Sequence, residues 1–173
     1  MKEDTPLLKP SPAQENPAKP HSTVLADIKH IIAQGQNTAY NAVNTAQIMT
    51  FWTIGRRIVE EEQQGNNRAG YGKRLISILA DELTKEYGSG YTDRNLRNFR
   101  QFYLYFPDPE IWHACVPNLK WTHIRSILRV EDETARLWYL NEAAKANWSA
   151  RTLDRNIATQ YYCRLLSHPT KTL

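Results

Sequence analysis

Cysteine is scarce in this chain of 173 residues, which contains only Cys115 and Cys163. Two cysteines form neither a disulfide framework nor a zinc knuckle, so a reducing compartment is the natural expectation. Long apolar runs are also missing: none approaches the roughly 18 residues of a membrane span, and the N-terminus lacks the apolar segment of a signal peptide. We therefore expect a cytoplasmic protein with no membrane partner.

Patterns typical of strands and of catalytic sites are absent as well. Alternating runs of Val, Ile and Thr do not occur, so β-strands are not expected. We find no glycine-rich phosphate loop, no Ser/His/Asp or Cys/His set and no histidine with ligand partners at metal-binding spacing. Pro107-Asp108 could begin a PD-(D/E)xK nuclease pattern, but no Glu-x-Lys follows it. The chain is therefore expected to have no metal site, no cofactor, no small-molecule substrate and no enzymatic activity of its own.

Proline is unevenly distributed, and its distribution separates a tail from a folded region. Residues 1–20 hold five of the nine prolines, among Ser, Gln, Glu and Lys. Such a segment cannot bury enough apolar surface to offset its ordering entropy, so we predict a disordered tail. From residue 21 onward apolar residues recur at spacings of three and four, and 41% of the chain is hydrophobic. We predict an all-α multi-helix bundle over residues 21–173.

The first half of the folded region predicts three helices. A long N-terminal helix covers about residues 23–63, with a kink or short break at 35–37, where glycine and asparagine weaken it. Gly55 lies within its apolar stripe, which favours a close helix neighbour there. The second helix covers residues 71–87, and a Gly-Ser-Gly turn separates it from a third at 92–106. Four shorter helices are predicted in the second half, over about 110–116, 121–130, 131–146 and 149–166.

Two six-residue segments resemble one another. YTDRNL at 91–96 and WSARTL at 148–153 both read aromatic, hydroxyl, any residue, Arg, polar, Leu, and each follows a helix and a short turn. We predict two tandem helix-turn-helix-like three-helix units, at about 21–107 and 108–173. An aromatic residue before a hydroxyl is also a common helix start, and any antiparallel helix pair can use a glycine turn. Both alternatives stay open.

The helix that begins after Thr92 has two contrasting faces. Its apolar stripe consists of Leu96, Phe99, Tyr103 and Phe106. Its other side carries residue types that pair bidentately with base edges in a major groove, namely Arg94, Arg97, Asn98 and Gln101. A recognition helix needs one apolar face that packs on its own domain and an opposite face with polar side chains of this kind. The alternative is an ordinary solvated surface helix.

Positive charge is concentrated in the second half. Residues 91–173 carry twelve basic and eight acidic side chains, so the whole net charge of +4 lies there. This asymmetry favours a polyanionic partner, with DNA first and RNA possible. The residues predicted to contact the nucleic-acid backbone are Lys120, Arg125, Arg129, Arg151 and Arg155. The alternative function is a helical protein-interaction or homodimerisation domain, with a partner face formed by Phe51, Trp52 and Ile58.

Several blocks of the sequence resemble a known family. They are FWTIGRRI (51–58), YGKRLISILADELTKEYGSGYTDRNLRNFRQFY (71–103), FPD (106–108), WTHIRSIL (121–128) and ARLWYLNEAAKANWSARTLDRNI (135–157). In this order they are similar to the N-terminal domain of the YhcG-type family, bacterial proteins with a domain of unknown function and a C-terminal predicted PD-(D/E)xK nuclease. The resemblance implies an all-helical, helix-turn-helix-like module ahead of a nuclease domain. We expect that nuclease domain to be absent from this chain, and no catalytic residue carries over.

Overall fold

The computed structural model describes residues 20–65 and 70–167, so the predicted disordered tail before Pro20 lies outside the described residues. Within these ranges every regular element is helical, which confirms the all-α prediction. The α-helices are α1 (Pro20–Gln64), α2 (Tyr71–Tyr87), α3 (Asp93–Tyr105), α4 (Pro109–His113), α5 (Trp121–Ile127), α6 (Glu133–Lys145), α7 (Ala150–Ala158) and α8 (Tyr161–Ser167). Short 3₁₀ turns occur at Ser89–Tyr91 and Val116–Asn118.

Helix α1 is continuous through 35–37, so the predicted short break is wrong, while a kink there stays a prediction. One glycine costs an exposed helix only about 1 kcal/mol, so Gly35 alone does not interrupt it. The chain divides into two compact units, up to Thr38 and from Ala39 onward. The described part of the first unit is the N-terminal segment of α1, and the other helices belong to the second.

The larger core cluster of the second unit joins α1 to the C-terminal helices. Trp52 of α1 packs with Phe102, Phe106 and Trp112, and the same cluster continues to Leu153 of α7. The indole Nε1 of Trp52 donates a hydrogen bond of 2.8 Å to the Phe106 carbonyl oxygen. This cluster draws residues from both sides of the boundary predicted at 107/108, and the division into two three-helix units stays a prediction.

A second core cluster lies where α1 crosses α3. Phe51 stacks on Phe99 with ring centroids 4.2 Å apart, and Ile58 and Leu96 complete the contact. A β-carbon on Gly55 would lie 1.9 Å from the Phe99 carbonyl oxygen, so only glycine permits this approach. The close helix neighbour predicted at Gly55 is confirmed.

The predicted partner face needs correction. Phe51, Trp52 and Ile58 are only 7%, 6% and 4% exposed, because all three pack into the core of their own unit. The apolar face that these three residues form on α1 is covered by α2, α3 and the helices that follow. These three side chains therefore cannot present a surface to another protein.

The last predicted helix is also corrected, since the structure divides it into α7 and α8. Gln160 adopts φ = +50°, a left-handed conformation that ends α7, and α8 restarts at Tyr161. The hydroxyl of Tyr139 accepts a hydrogen bond of 3.1 Å from the Tyr162 backbone N–H and donates one to the Asn156 carbonyl. This buried tyrosine of α6 holds both sides of the break.

Candidate functional site

A groove on the second unit brings together basic and polar side chains from α3, α5 and α7. Its cavity volume is about 320 Å³. We call it the basic groove, and its lining residues are Arg94, Asn98, Thr122, Arg125, Ser126, Arg129, Ala150 and Asp154. Four of the nine residues predicted to bind nucleic acid are thus collected in one place, although they come from two separate helical regions.

The helical repeat of α3 explains which of its polar residues reach the groove. Arg94 and Asn98 are four residues apart and therefore lie on one side of the helix. Arg97 and Gln101 form the next such pair and line a different cavity. The predicted recognition face is therefore split between two grooves.

Helix α5 is anchored by a buried histidine. The backbone N–H of Lys120 donates a hydrogen bond of 3.0 Å to Nδ1 of His123, and Nε2 of the same ring lies 2.8 Å from the Trp148 carbonyl oxygen. With Nδ1 as the acceptor from Lys120, Nε2 is the atom that faces the Trp148 carbonyl as donor. This side chain connects the start of α5 to the turn before α7.

One acidic side chain intrudes into the basic groove. Nη2 of Arg129 donates to Oδ1 of Asp154 at 2.5 Å, with both side chains at least half exposed. This pair spans 25 residues of sequence, so no local pattern could have indicated it. A surface ion pair of this kind is weak and competes with any anion that approaches Arg129.

The remaining groove arginines are available to a ligand. Arg94 and Arg125 are exposed and form no ion pair with any acid in the described ranges. Arg151 and Arg155 are likewise exposed and unpaired among described residues, on the helix that contributes Asp154, but they do not line the groove. The structure therefore leaves these guanidinium groups open to solvent.

The second cavity, about 550 Å³, lies between the end of α1, the start of α2 and α3. Arg97 and Gln101 line it together with Glu62 and Arg100. Nε of Arg100 donates to Glu62 at 2.7 Å in a partly buried pair, so this arginine holds α3 on α1. Arg97 is bound to Asp93 of its own helix, and hydrogen bonding to that carboxylate raises the pKa of Arg97.

Lys120 stands apart from both grooves. Its ammonium lies 5.2 Å from the centroid of the Tyr40 ring, in a cation–π contact. Arg136 contributes to the positive charge of the second half but is only 5% exposed, with its guanidinium 3.5 Å above the Tyr105 ring. It donates a hydrogen bond of 2.8 Å to the Val130 carbonyl and so stabilises the connection before α6.

Other kinds of site find little support in the described part of the chain. No group of three or more His, Cys, Asp or Glu side chains there is arranged to hold a metal ion. Burial raises the pKa of the Cys115 thiol, which disfavours a reactive thiolate. Across the described ranges, none of the helices combines the length and apolar character needed to cross a bilayer.

Sequence comparison places this chain in a family. Residues 27–164 match the DUF1016 N-terminal domain, and the chain belongs to that family. It is similar to the protein named "Putative nuclease YhcG" of Escherichia coli (strain K12), with 35% identity over 172 residues. This confirms the resemblance to a YhcG-type N-terminal domain.

The match covers 82% of this chain but only 46% of the Escherichia coli protein, so the chain spans less than half the length of that relative. No solved structure matches the chain.

Proposed function

We propose that this chain is a nucleic-acid-binding module, with duplex DNA as its ligand, that contains no catalytic centre. The observation that supports this proposal is the basic groove, where Arg94 and Asn98 of α3 lie beside Arg125 and Arg129 of the α5 region. Lys120, Arg151 and Arg155 would add backbone contacts beyond the groove. The name of the Escherichia coli relative supports a nucleic acid as the partner of the family.

The arginines, Asn98 and Thr122 of the groove each suit part of this task. Arginine side chains bind phosphate oxygens or the guanine edge bidentately, and the Asn98 amide can pair with an adenine edge. Thr122 is an exposed hydroxyl residue at the first turn of α5, where it can donate to a phosphate. Arg97 and Gln101 face the neighbouring cavity and would contact the ligand only where it extends across α3.

We further propose that the module acts as the N-terminal part of a nuclease of the PD-(D/E)xK type and positions DNA for it in the cytoplasm. Within the described residues we identify no carboxylate cluster that could hold a catalytic cation. Chain 1–173 incubated with duplex DNA and magnesium or manganese is therefore expected to produce no cleavage. Metal-dependent cleavage by this chain would contradict the absence of a catalytic centre.

The binding proposal is tested by removing two groove arginines. Arg94→Ala/Arg125→Ala should weaken duplex binding at low salt and lower the slope of log K against log salt by about 2, since each phosphate contact contributes about 0.9. Fluorescence anisotropy across a salt series measures both quantities.

Arg56→Ala/Arg57→Ala is the matched control. It removes the same charge from exposed arginines that pair with Glu60 and Glu61 on α1, outside the groove. The control should bind like the unmodified chain. Equal losses in both double variants, or no duplex binding tighter than about 10⁻⁴ M, the weak end of non-specific binding, would refute the proposal. Tighter binding to single strands or duplex RNA would reassign the ligand.

A further inference from the structure

An apolar stripe on the first unit has no covering element in the described structure. Its members, which we call the α1 stripe, are Val24, Leu25, Ile28, Ile31 and Ile32. Each of them is between 47% and 64% exposed. Scattered surface hydrophobics need no explanation, but five within nine consecutive residues form a contiguous patch.

The α1 stripe is centred on one residue. At about 100° per residue, its five side chains occupy an arc of roughly 120° around the helix, with Ile28 at the middle. An arc of this width is typical of a helix that packs one face against a partner. Asp27 and Lys29 lie on its two borders, each about 100° from Ile28 and on opposite sides.

These two border charges indicate what the partner is. Neither Asp27 nor Lys29 forms an ion pair with another described residue. When two copies of this helix lie parallel about a two-fold axis, Asp27 of each copy is on the same side as Lys29 of the other, about 3 Å apart along the axis. An antiparallel pair would place Asp beside Asp and Lys beside Lys. The segment is therefore complementary to a parallel copy of itself.

We propose that residues 24–32 associate with the same residues of a second copy of this chain, as a parallel helix pair with Ile28 facing Ile28. A membrane surface fits less well, because interfacial helices carry Lys and Arg along their polar face. Here Asp27 and Lys29 cancel, and the opposite face holds uncharged residues such as Asn37. This inference does not depend on nucleic-acid binding.

The first experiment is sedimentation equilibrium of chain 1–173 over a wide concentration range. The unmodified chain should dimerise reversibly, and Ile28→Asp should weaken the dimer at least about tenfold, because a carboxylate would be buried at the centre of the contact. Asn37→Asp is the control, since it adds the same side chain nine residues later, on the opposite side of α1. It should leave the dimer intact.

Folding of the variants is followed separately. All five tryptophans lie between residues 52 and 148, so their fluorescence reports the second unit alone. It should be unchanged in both variants. A chain that is monomeric at every concentration, including one that binds lipid vesicles instead, would overturn the proposal. A dimer that Ile28→Asp leaves unaffected would do the same.

The parallel orientation is tested by oxidation of Val24→Cys. The background variant carries Cys163→Ser, because Cys163 is exposed, whereas Cys115 is buried. In the parallel pair the two introduced thiols face each other and should form an intermolecular disulfide. In an antiparallel pair centred on Ile28 they would be about 12 Å apart along the axis, too far for a disulfide. Failure to cross-link at concentrations where the dimer predominates would overturn the parallel pairing.

Discussion

Gly55 lies at a close contact between α1 and α3 that leaves no room for a side chain. The position that a β-carbon would take on Gly55 faces the Phe99 carbonyl oxygen, and an added methyl group would overlap the α3 backbone rather than a side chain that could move. Gly55→Ala should therefore lower the free energy of unfolding by about 3 kcal/mol or more, as overpacking of a rigid contact does. Urea unfolding followed by tryptophan fluorescence measures the change.

Gly35→Ala is the matched control for this prediction. A β-carbon at Gly35 meets nothing, and alanine is favoured over glycine in an exposed helix by about 1 kcal/mol. The control should leave the unfolding of the second unit unchanged. Equal stability of Gly55→Ala and the unmodified chain would show that α1 and α3 can separate without cost.

The contact of Asp154 with Arg129 could not be predicted from the sequence. It pairs with Arg129 and places a negative charge among the groove arginines. If the groove binds phosphates, Asp154→Asn should raise the affinity for duplex DNA about threefold or more, since it frees Arg129 and removes a repulsive charge. Anisotropy titrations at constant salt measure the effect.

The control for Asp154 is Asp81→Asn, an exposed residue of α2 with the same change in formal charge. It lines neither the basic groove nor the cavity beside Arg97. Equal gains in both variants would mean that only the net charge matters. A loss of affinity in Asp154→Asn would mean that the carboxylate is needed to orient Arg129.

At the scale of the helices, the two matching segments 91–96 and 148–153 differ in how they cap. Ser149 Oγ accepts a hydrogen bond of 3.0 Å from the Thr152 backbone N–H, as an N-cap should. Thr92 occupies the corresponding N-cap position of α3, but its hydroxyl makes no such bond. Thr92 therefore occupies the N-cap position of α3 without a side-chain capping bond.

This difference predicts unequal effects of the same substitution. Ser149→Ala should lower the free energy of unfolding by about 1 kcal/mol, the usual cost of a lost cap. Thr92→Ala should cost less, because no cap bond is lost. Ser149→Asn should restore most of the stability, as asparagine caps equally well. Chemical denaturation of the three variants tests the series, and a larger loss in Thr92→Ala would contradict it.

Helices were predictable here because apolar residues recur along the sequence at spacings of three and four. Local sequence patterns fail where a contact from elsewhere in the chain decides where a helix ends or what covers it. The Tyr139 hydroxyl joins the end of α7 to the start of α8, and nothing local to residues 149–166 indicates that break. The partner face predicted at Phe51 failed for the same reason: an apolar stripe shows that something covers it, not which element does.

The groove shows the same division between local and long-range information. The polar face of α3 could be recognised from the spacing of Arg94 and Asn98, and Arg125 and Arg129 from the excess of basic residues. Their convergence depends on how α3, α5 and α7 pack, which one sequence does not reveal. Arginines also look alike in a sequence whether they are open, as Arg94 is, or buried, as Arg136 is.

For the whole molecule, the two units should be separable by truncation. The buried residues of the core clusters lie between positions 48 and 153, and the described part of the first unit contributes none of them. A chain of residues 39–173 should therefore unfold cooperatively, with a free energy within about 1 kcal/mol of that of the full chain, because the residues 22–38 that it loses from the described structure are all exposed. The same truncation removes the α1 stripe and should make the chain monomeric.

Truncation also connects the proposed dimer with the proposed binding function. Two modules on one duplex bind more tightly than one, because the second contact becomes intramolecular. Chain 39–173 should then bind short duplexes that hold one module as well as the full chain does, and lose affinity only on duplexes long enough for two. Titrations of both chains against a short and a long duplex separate these cases. Equal affinity for the long duplex would show that any self-association does not contribute to binding, whereas loss on both duplexes would show that residues 1–38 contact the nucleic acid themselves.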